Sequence, residues 1–314
     1  MKIIFFGSDD FALINLEALV RSEHQVVACV TQPDKAKGRG LKVSFSPIKE
    51  CALKNQLPIF QPLQLKDQSF IEQLKSYQSD LFVVVAYGKI LPIEVLSVPY
   101  LCCMNVHGSL LPKYRGAAPI NWALINAEEE TGISIIKMNT AMDGGDLFAQ
   151  AKIRIGPDEN AGSLRRKMAD LGADLLLKTI NSLEKNAYTL AAQDSSKVTF
   201  APKLTKGLGW IDWSKDARVI HNLVRGLSPK PGAYTFYEGK QLKILETTVT
   251  SIATPQKQKG GIIALQKEGF VVVTDDYGLL VRQVHLESAQ VMDAESFISG
   301  HQLAVGFQFE EGKK

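Results

Sequence analysis

Five short apolar or β-branched runs punctuate the first half of the chain: Lys2–Phe6, Val26–Val30, Leu81–Val85, Leu101–Val106 and Ile133–Ile136. None alternates cleanly between apolar and polar positions. Strands buried on both faces have that texture, and such strands belong to parallel sheets covered by helices. Phe11, Leu13, Ile14, Leu16 and Leu19 follow the turn at Gly7 at helical spacing, which predicts strand, turn, helix. A long helix is predicted over about Ser163 to Glu184, where Leu164, Met168, Leu171, Leu175, Leu176, Ile180 and Leu183 step mostly by three or four. Residues 1–186 therefore read as a doubly wound α/β domain.

The texture changes after Asn186. Small and polar residues at 191–207 carry no helical period and read as a linker. A helical patch over roughly Asp216–Leu227 follows. Short β-type runs come next: Ala233–Tyr237, Leu242–Leu245, Gly261–Leu265, Phe270–Thr274 and Leu279–Val284. Their spacing predicts a small antiparallel barrel. The expected division is a domain at 1–186, a basic linker at 187–206 and a second domain at 207–314.

Composition narrows the class. A chain of 314 residues with 45% hydrophobic and 22% charged residues suits a folded protein of two domains. No stretch reaches the roughly 18 consecutive apolar residues of a membrane span. The N-terminal MKIIFFGSDDFA lacks the pattern of a secretory signal. Four cysteines (29, 51, 102 and 103) form no Cys-x-x-Cys and read as reduced, buried thiols, so a cytoplasmic location is expected.

Residues 1–186 carry 21 Lys and Arg against 20 Asp and Glu, and residues 187–314 carry 15 against 13, so neither half is broadly basic. Two segments depart from that balance. Residues 35–49 hold Lys35, Lys37, Arg39, Lys42 and Lys49 with no acid, and residues 197–230 hold seven bases against Asp212 and Asp216. A charge run is ordinarily a solvated loop. Two such runs, in a Gly-rich loop and across a linker, also suit a phosphate backbone.

The first strand–turn–helix has one glycine rather than Gly-x-Gly-x-x-Gly, and Asp9 and Asp10 would repel a pyrophosphate there, which disfavours an NAD oxidoreductase. The two acids suit a helix start without further purpose. Chemistry concentrates instead at Asn105-Val106-His107-Gly108-Ser109-Leu110-Leu111-Pro112, which follows a buried run at the edge where open α/β sheets bind ligands. Asn105 and His107 differ by two, so both side chains project to one side of an extended segment. Asn offers a neutral donor to a developing oxyanion, and His titrates near neutral pH. The alternative is a polar strand end satisfied by neighbouring backbone. Met142-Asp143-Gly144-Gly145-Asp146 adds a carboxylate in a tight loop. No Gly-x-Ser-x-Gly and no cysteine in a polar setting supplies a nucleophile, which favours direct transfer between two substrates. The five histidines are scattered and none pairs at metal-ligand spacing, so no metal is expected.

NVHGSLLPKYRGAAPINWAL at 105–124, together with MDGGD at 142–146, resembles the signature of the 10-formyltetrahydrofolate-dependent formyltransferases. The resemblance continues in residues 31–49, 86–92, 203–217, 225–234 and 306–312, and so covers essentially the whole chain. One departure is Asp9, where the family's turn usually has Pro. The resemblance implies a Rossmann-like domain followed by an OB-like β-barrel, with 10-formyltetrahydrofolate as donor and no metal. It implies that Asn105 would hold the formyl carbonyl and stabilise the oxyanion. His107 would handle charge and protons near that oxygen and N10. Asp143 would set the charge of His107 and, through water, accept the proton lost by the attacking amine. Ser109, Leu110, Leu111 and Pro112 resemble the segment that touches folate. Tyr87, Gly88, Ile90, Leu91 and Asn139 resemble walls of the pterin pocket. The loop carrying Lys35, Lys37, Arg39 and Lys42 resembles the insertion that engages a tRNA acceptor arm, joined by Lys203, Lys206 and the barrel. The implied acceptor is the α-amino group of initiator methionyl-tRNA.

Other acceptors within the family compete. A glycinamide ribonucleotide formyltransferase would not need residues 210–314. A UDP-amino-sugar formyltransferase or a 10-formyltetrahydrofolate hydrolase would not need five bases in an acid-free run, so that loop favours tRNA. A non-catalytic RNA-binding protein would not need Asn105, His107 and Asp143. Nothing demands more than a monomer.

Overall fold

The computed structural model describes residues 1–37, 42–255 and 257–309, with backbone alone at 35–37 and 42–43. Two compact units emerge: residues 1–119, 130–154 and 165–202 form the first, and residues 120–129, 155–164 and 203–314 the second.

The first unit begins with β1 (Lys2–Gly7), α1 (Asp10–Val20) and β2 (Gln25–Val30). Asp9 caps α1 by accepting from the backbone N–H groups of Phe11 and Ala12 at 3.1 and 3.2 Å, a role that suits an acid at a helix start. The hairpin β3 (Lys35–Lys37) and β4 (Lys42–Ser44) precedes α2 (Pro47–Lys54), β5 (Ile59–Phe60) and α3 (Gln68–Ser76). Then follow β6 (Leu81–Val85), α4 (Ile93–Leu96), β7 (Cys102–His107) and β8 (Arg115–Gly116), after which the chain passes into the second unit with α5 (Pro119–Ile125) before returning. β9 (Glu130–Lys137), β10 (Leu147–Arg154), α6 (Ala161–Glu184) and β11 (Phe200–Ala201) come next.

Seven strands form one sheet in the order β10-β9-β7-β6-β1-β2-β5. The strands from β7 to β5 run parallel, as their unbroken apolar runs predict. β9 is as buried as its parallel neighbours yet runs antiparallel to both β7 and β10. A continuous apolar run reports burial on two faces, not direction. β10 escapes the sequence reading for a related reason: it is an edge strand with half-exposed, mixed residues.

The second unit holds α7 (Ala217–Leu227) against an antiparallel sheet. Its strands are β12 (Ala233–Tyr237), β13 (Lys240–Ala253), β14 (Ile262–Gln266), β15 (Gly269–Val273), β16 (Tyr277–Leu286) and β17 (Val291–Asp293), followed by α8 (Ala294–His301). The order is β12-β13-β16-β15-β14, with β17 also on β16. Trp213 stacks on Phe309 at 5.8 Å, and Phe270, Phe297, Ile220 and Val224 complete a core between helices and sheet. β13 runs well past the predicted Leu242–Leu245. Its second half is threonine-rich and its register shifts repeatedly, so no apolar run marks it.

Candidate active site

Parallel pairing fixes the place of the site. Gly7 lies beside Val85 and Asn105 beside Val84, so the carboxyl ends of β1, β6 and β7 share one edge. Asn105 and His107 close β7 at that edge, two residues apart on one face. The third member comes from the loop between β9 and β10, where Asp143 takes a left-handed backbone with φ of 48°.

The three side chains meet. The Asn105 Nδ2 donates to Asp143 Oδ1 at 3.2 Å. Nδ1 of His107 lies 3.6 Å from Asp143 Oδ2. On its far side, Nε2 of His107 stands 2.9 Å from the Tyr114 carbonyl oxygen, which can only accept, so Nε2 carries a hydrogen. The backbone N–H of Gly116 donates to Asp143 Oδ2 at 2.8 Å. Both carboxylate oxygens are thus engaged, and His107 is buried at 5% exposure.

Glycine is required at two points around Asp143. A Cβ on Gly145 would stand 1.8 Å from the Lys137 carbonyl oxygen, so the turn packs directly against the end of β9. Gly116 has φ of 120°, and a Cβ there would come within 2.7 Å of the Ala201 carbonyl oxygen. These contacts pin the Asp143 loop and the donor that faces it.

Among the other candidates, Ser109 is fully buried and its hydroxyl donates to the Lys113 carbonyl at 2.6 Å. Ser134 holds this loop from below, accepting from the Leu111 N–H and donating to the Ser109 carbonyl. Gln150 donates to both Leu111 O and Ser134 Oγ. Leu110 and Pro112 are half-buried, and Leu111 is buried. Tyr87 and Leu91 sit in the core beneath the edge, whereas Gly88 and Asn139 are exposed and Ile90 is 74% exposed. Burial pushes the Tyr87 phenol up to about 12, so it stays protonated at neutral pH.

Lys203 and Lys206 are exposed in the second unit. Arg39 lies outside the described residues, and for Lys35, Lys37 and Lys42 only the backbone hairpin is described. Lys49, the last base of that run, pairs with Asp34, which falls one residue outside the acid-free window. It also donates to Gln61 Oε1 at 3.0 Å, so its charge is partly spent within the fold.

Tyr114, Gly116 and Gln193 surround the site without having been marked in the sequence. Tyr114 and Gly116 act through main-chain atoms, which side-chain chemistry does not reveal. Gln193 falls in a segment without periodicity. All four cysteines are free and buried, and burial raises their thiols, Cys29 to about 12. Among the described residues no group of three or more His, Cys, Asp or Glu is arranged to hold a metal ion, and no helix is long and apolar enough to cross a membrane.

Comparison with known proteins places this geometry in context. Residues 1–180 match the family described as formyl transferase, and residues 203–302 match the formyl transferase C-terminal domain. A methionyl-tRNA formyltransferase of Acetivibrio thermocellus is 44% identical over 306 residues, covering 98% of each chain. Among solved structures, HypX of Aquifex aeolicus in complex with tetrahydrofolic acid has a TM-score of 0.67 at 16% identity over 96% of this chain, which spans only 47% of HypX. An N-formyltransferase of Helicobacter canadensis, solved with folinic acid and dTDP-3-aminofucose, has a TM-score of 0.66 at 18% identity over 90% of this chain and 98% of its own. These two likenesses concern the fold.

Proposed function

The chain belongs to the formyl transferase family, and on that premise we propose that it transfers the formyl group of 10-formyltetrahydrofolate to the α-amino group of initiator methionyl-tRNA, giving N-formylmethionyl-tRNA for translation initiation. The observation that carries the chemistry is the meeting of Asn105, His107 and Asp143 at one sheet edge. The similarity to a methionyl-tRNA formyltransferase over nearly the whole chain supports the acceptor.

The amine nitrogen attacks the formyl carbon and forms the new C–N bond, while the carbonyl electrons move onto oxygen. Asn105 spends one amide hydrogen on Asp143 and keeps the second for that oxyanion. In this reading His107, held between the Tyr114 carbonyl and Asp143, would lend its charge near the same oxygen and N10. Collapse of the tetrahedral species breaks the bond to N10, which takes up a proton, while Asp143 receives the amine proton through water. The balance is one formyl group moved and one proton exchanged. Buried cysteines with raised thiols offer no nucleophile, which supports direct transfer without an acyl-enzyme.

Exposed apolar surface at Ile90 and Met142 beside the loops of this edge suits a flat heterocycle, so Ser109, Leu110, Leu111, Pro112, Tyr87, Gly88, Ile90, Leu91 and Asn139 form the proposed folate pocket. Lys35, Lys37, Arg39, Lys42, Lys203 and Lys206 are proposed to bind the tRNA. In this reading residues 1–186 carry Asn105, His107 and Asp143, the basic segment 187–206, which stays with the first unit as far as residue 202, leads on to the second domain, and 207–314 form an OB-like tRNA-binding domain of a cytoplasmic monomer.

The test offers 10-formyltetrahydrofolate with methionyl-initiator tRNA or a UDP-amino sugar and weighs the products. One formyl group gained by the methionyl-tRNA alone agrees with this reading. Formylation of the sugar, or formate released without either acceptor, contradicts it.

A further inference from the structure

The segment after α6 carries no catalytic side chain, yet it is tied to the active-site loops at three successive points. Ala191 forms a bridge with Leu147, exchanging backbone hydrogen bonds of 2.8 and 3.0 Å. Thr199 accepts from the Tyr114 N–H at its hydroxyl and from the Arg115 N–H at its carbonyl, both at 2.9 Å. β11 then pairs with β8 in parallel. Between these anchors sits Gln193.

The Gln193 Nε2 donates to the carbonyl oxygens of Asp143 and Gly145, each at 2.7 Å. Its Oε1 accepts from Arg115 Nε at 3.1 Å and Nη2 at 2.7 Å. One amide therefore grips both ends of the turn that holds Asp143 and connects it to the residue just before Gly116, whose N–H holds the carboxylate. The grip also bears on the backbone: Asp143 sits in the left-handed region, which is uncommon for a residue other than glycine although Asp tolerates it better than most.

The geometry points to Gln193 as a positioning residue: by holding the Asp143 and Gly145 carbonyls, it aims the Asp143 carboxylate at Asn105 and His107. The inference rests on the proposed formyl transfer for its kinetic consequence. A misplacement of about 1 Å in such a group costs on the order of 100-fold in rate. Glutamate at this position is the discriminating replacement. It keeps the acceptor for Arg115 but sets a carboxylate against two carbonyl oxygens.

The experiment compares wild type, Gln193→Ala and Gln193→Glu for kcat and for KM toward folate and tRNA. It also records the imidazole 15N signals of His107 on the unliganded protein. Both variants are expected to lose about 10- to 100-fold in kcat with each KM within about twofold of wild type. The His107 signals are expected to move in both variants, and in Asp143→Asn measured alongside them. A wild-type kcat in Gln193→Glu overturns the inference, because the Arg115 contact alone would then suffice. A raised KM for tRNA at unchanged kcat overturns it as well, assigning Gln193 to acceptor binding. If the wild-type protein formylates neither acceptor, the functional reading fails, and the His107 signals still decide the positioning: movement supports it and unchanged signals overturn it.

Discussion

Asn105 donates its side-chain amide to the carboxylate of Asp143 at 3.2 Å, across 38 positions of sequence. The bond ties the end of β7 to the loop after β9, so the proposed oxyanion donor and proton acceptor are oriented by one contact. Gly116 holds the other carboxylate oxygen from the opposite side.

Replacing Asp143 by Asn turns one acceptor into a donor facing the Gly116 or Asn105 N–H. A fall in kcat of at least about 100-fold is expected, the scale of general acid–base and oxyanion contributions. Affinity for methionyl-tRNA, measured by filter binding, should stay near wild type. Near-wild-type turnover would remove Asp143 from the site.

Gly145→Ala tests the turn. Its Cβ would meet the Lys137 carbonyl at 1.8 Å, and backbone must move to relieve it. A loss of about 1–3 kcal/mol in stability, together with reduced kcat, is expected from overpacking of this kind. Chemical denaturation and turnover measured together check both parts.

The second unit should be acid-sensitive through His221. Burial, then the charges of Arg225 and Arg218, hold its imidazole below the ordinary 6.5, against the opposing pulls of the Pro157 carbonyl and Asp158. As pH falls through that value the unfolded chain takes up its proton before the folded imidazole does, so stability drops as pH falls through about 6.5. All three tryptophans, Trp122, Trp210 and Trp213, lie in this unit, so their fluorescence follows it alone. His221→Gln should flatten the slope; an unchanged slope would show that other groups cause it.

Arg39→Ala should raise KM for tRNA and leave folate affinity untouched, because a scattered base on a Gly-rich loop contributes through phosphate contact. Steady-state kinetics at varied tRNA and fixed saturating folate measure it. An equal loss of folate binding would assign the loop to the pterin pocket.

Much of this was legible from residues. Strands buried on both faces write themselves as apolar runs, so β1, β2, β6 and β7 appear, and with them the edge that carries Asn105 and His107. Asp143 was marked by the glycines beside it, whose close packing explains their presence. Edge strand β10 and the threonine-rich half of β13 were not legible, since half-exposed strands lack the apolar signal. Main-chain partners such as the Tyr114 carbonyl and the Gly116 N–H leave no trace in side-chain identity. Asp34 lay one position outside the charge window that made Lys49 look unpaired. The role of Gln193 depends on three anchors far apart in sequence, and no local pattern encodes those.

The most direct test of the central claim is single-turnover formation of N-formylmethionyl-tRNA by wild type and Asn105→Ala at saturating 10-formyltetrahydrofolate. Rapid formylation is expected of wild type and a rate at least about 100-fold lower of the variant, with folate affinity retained. Equal rates in the two proteins would contradict it.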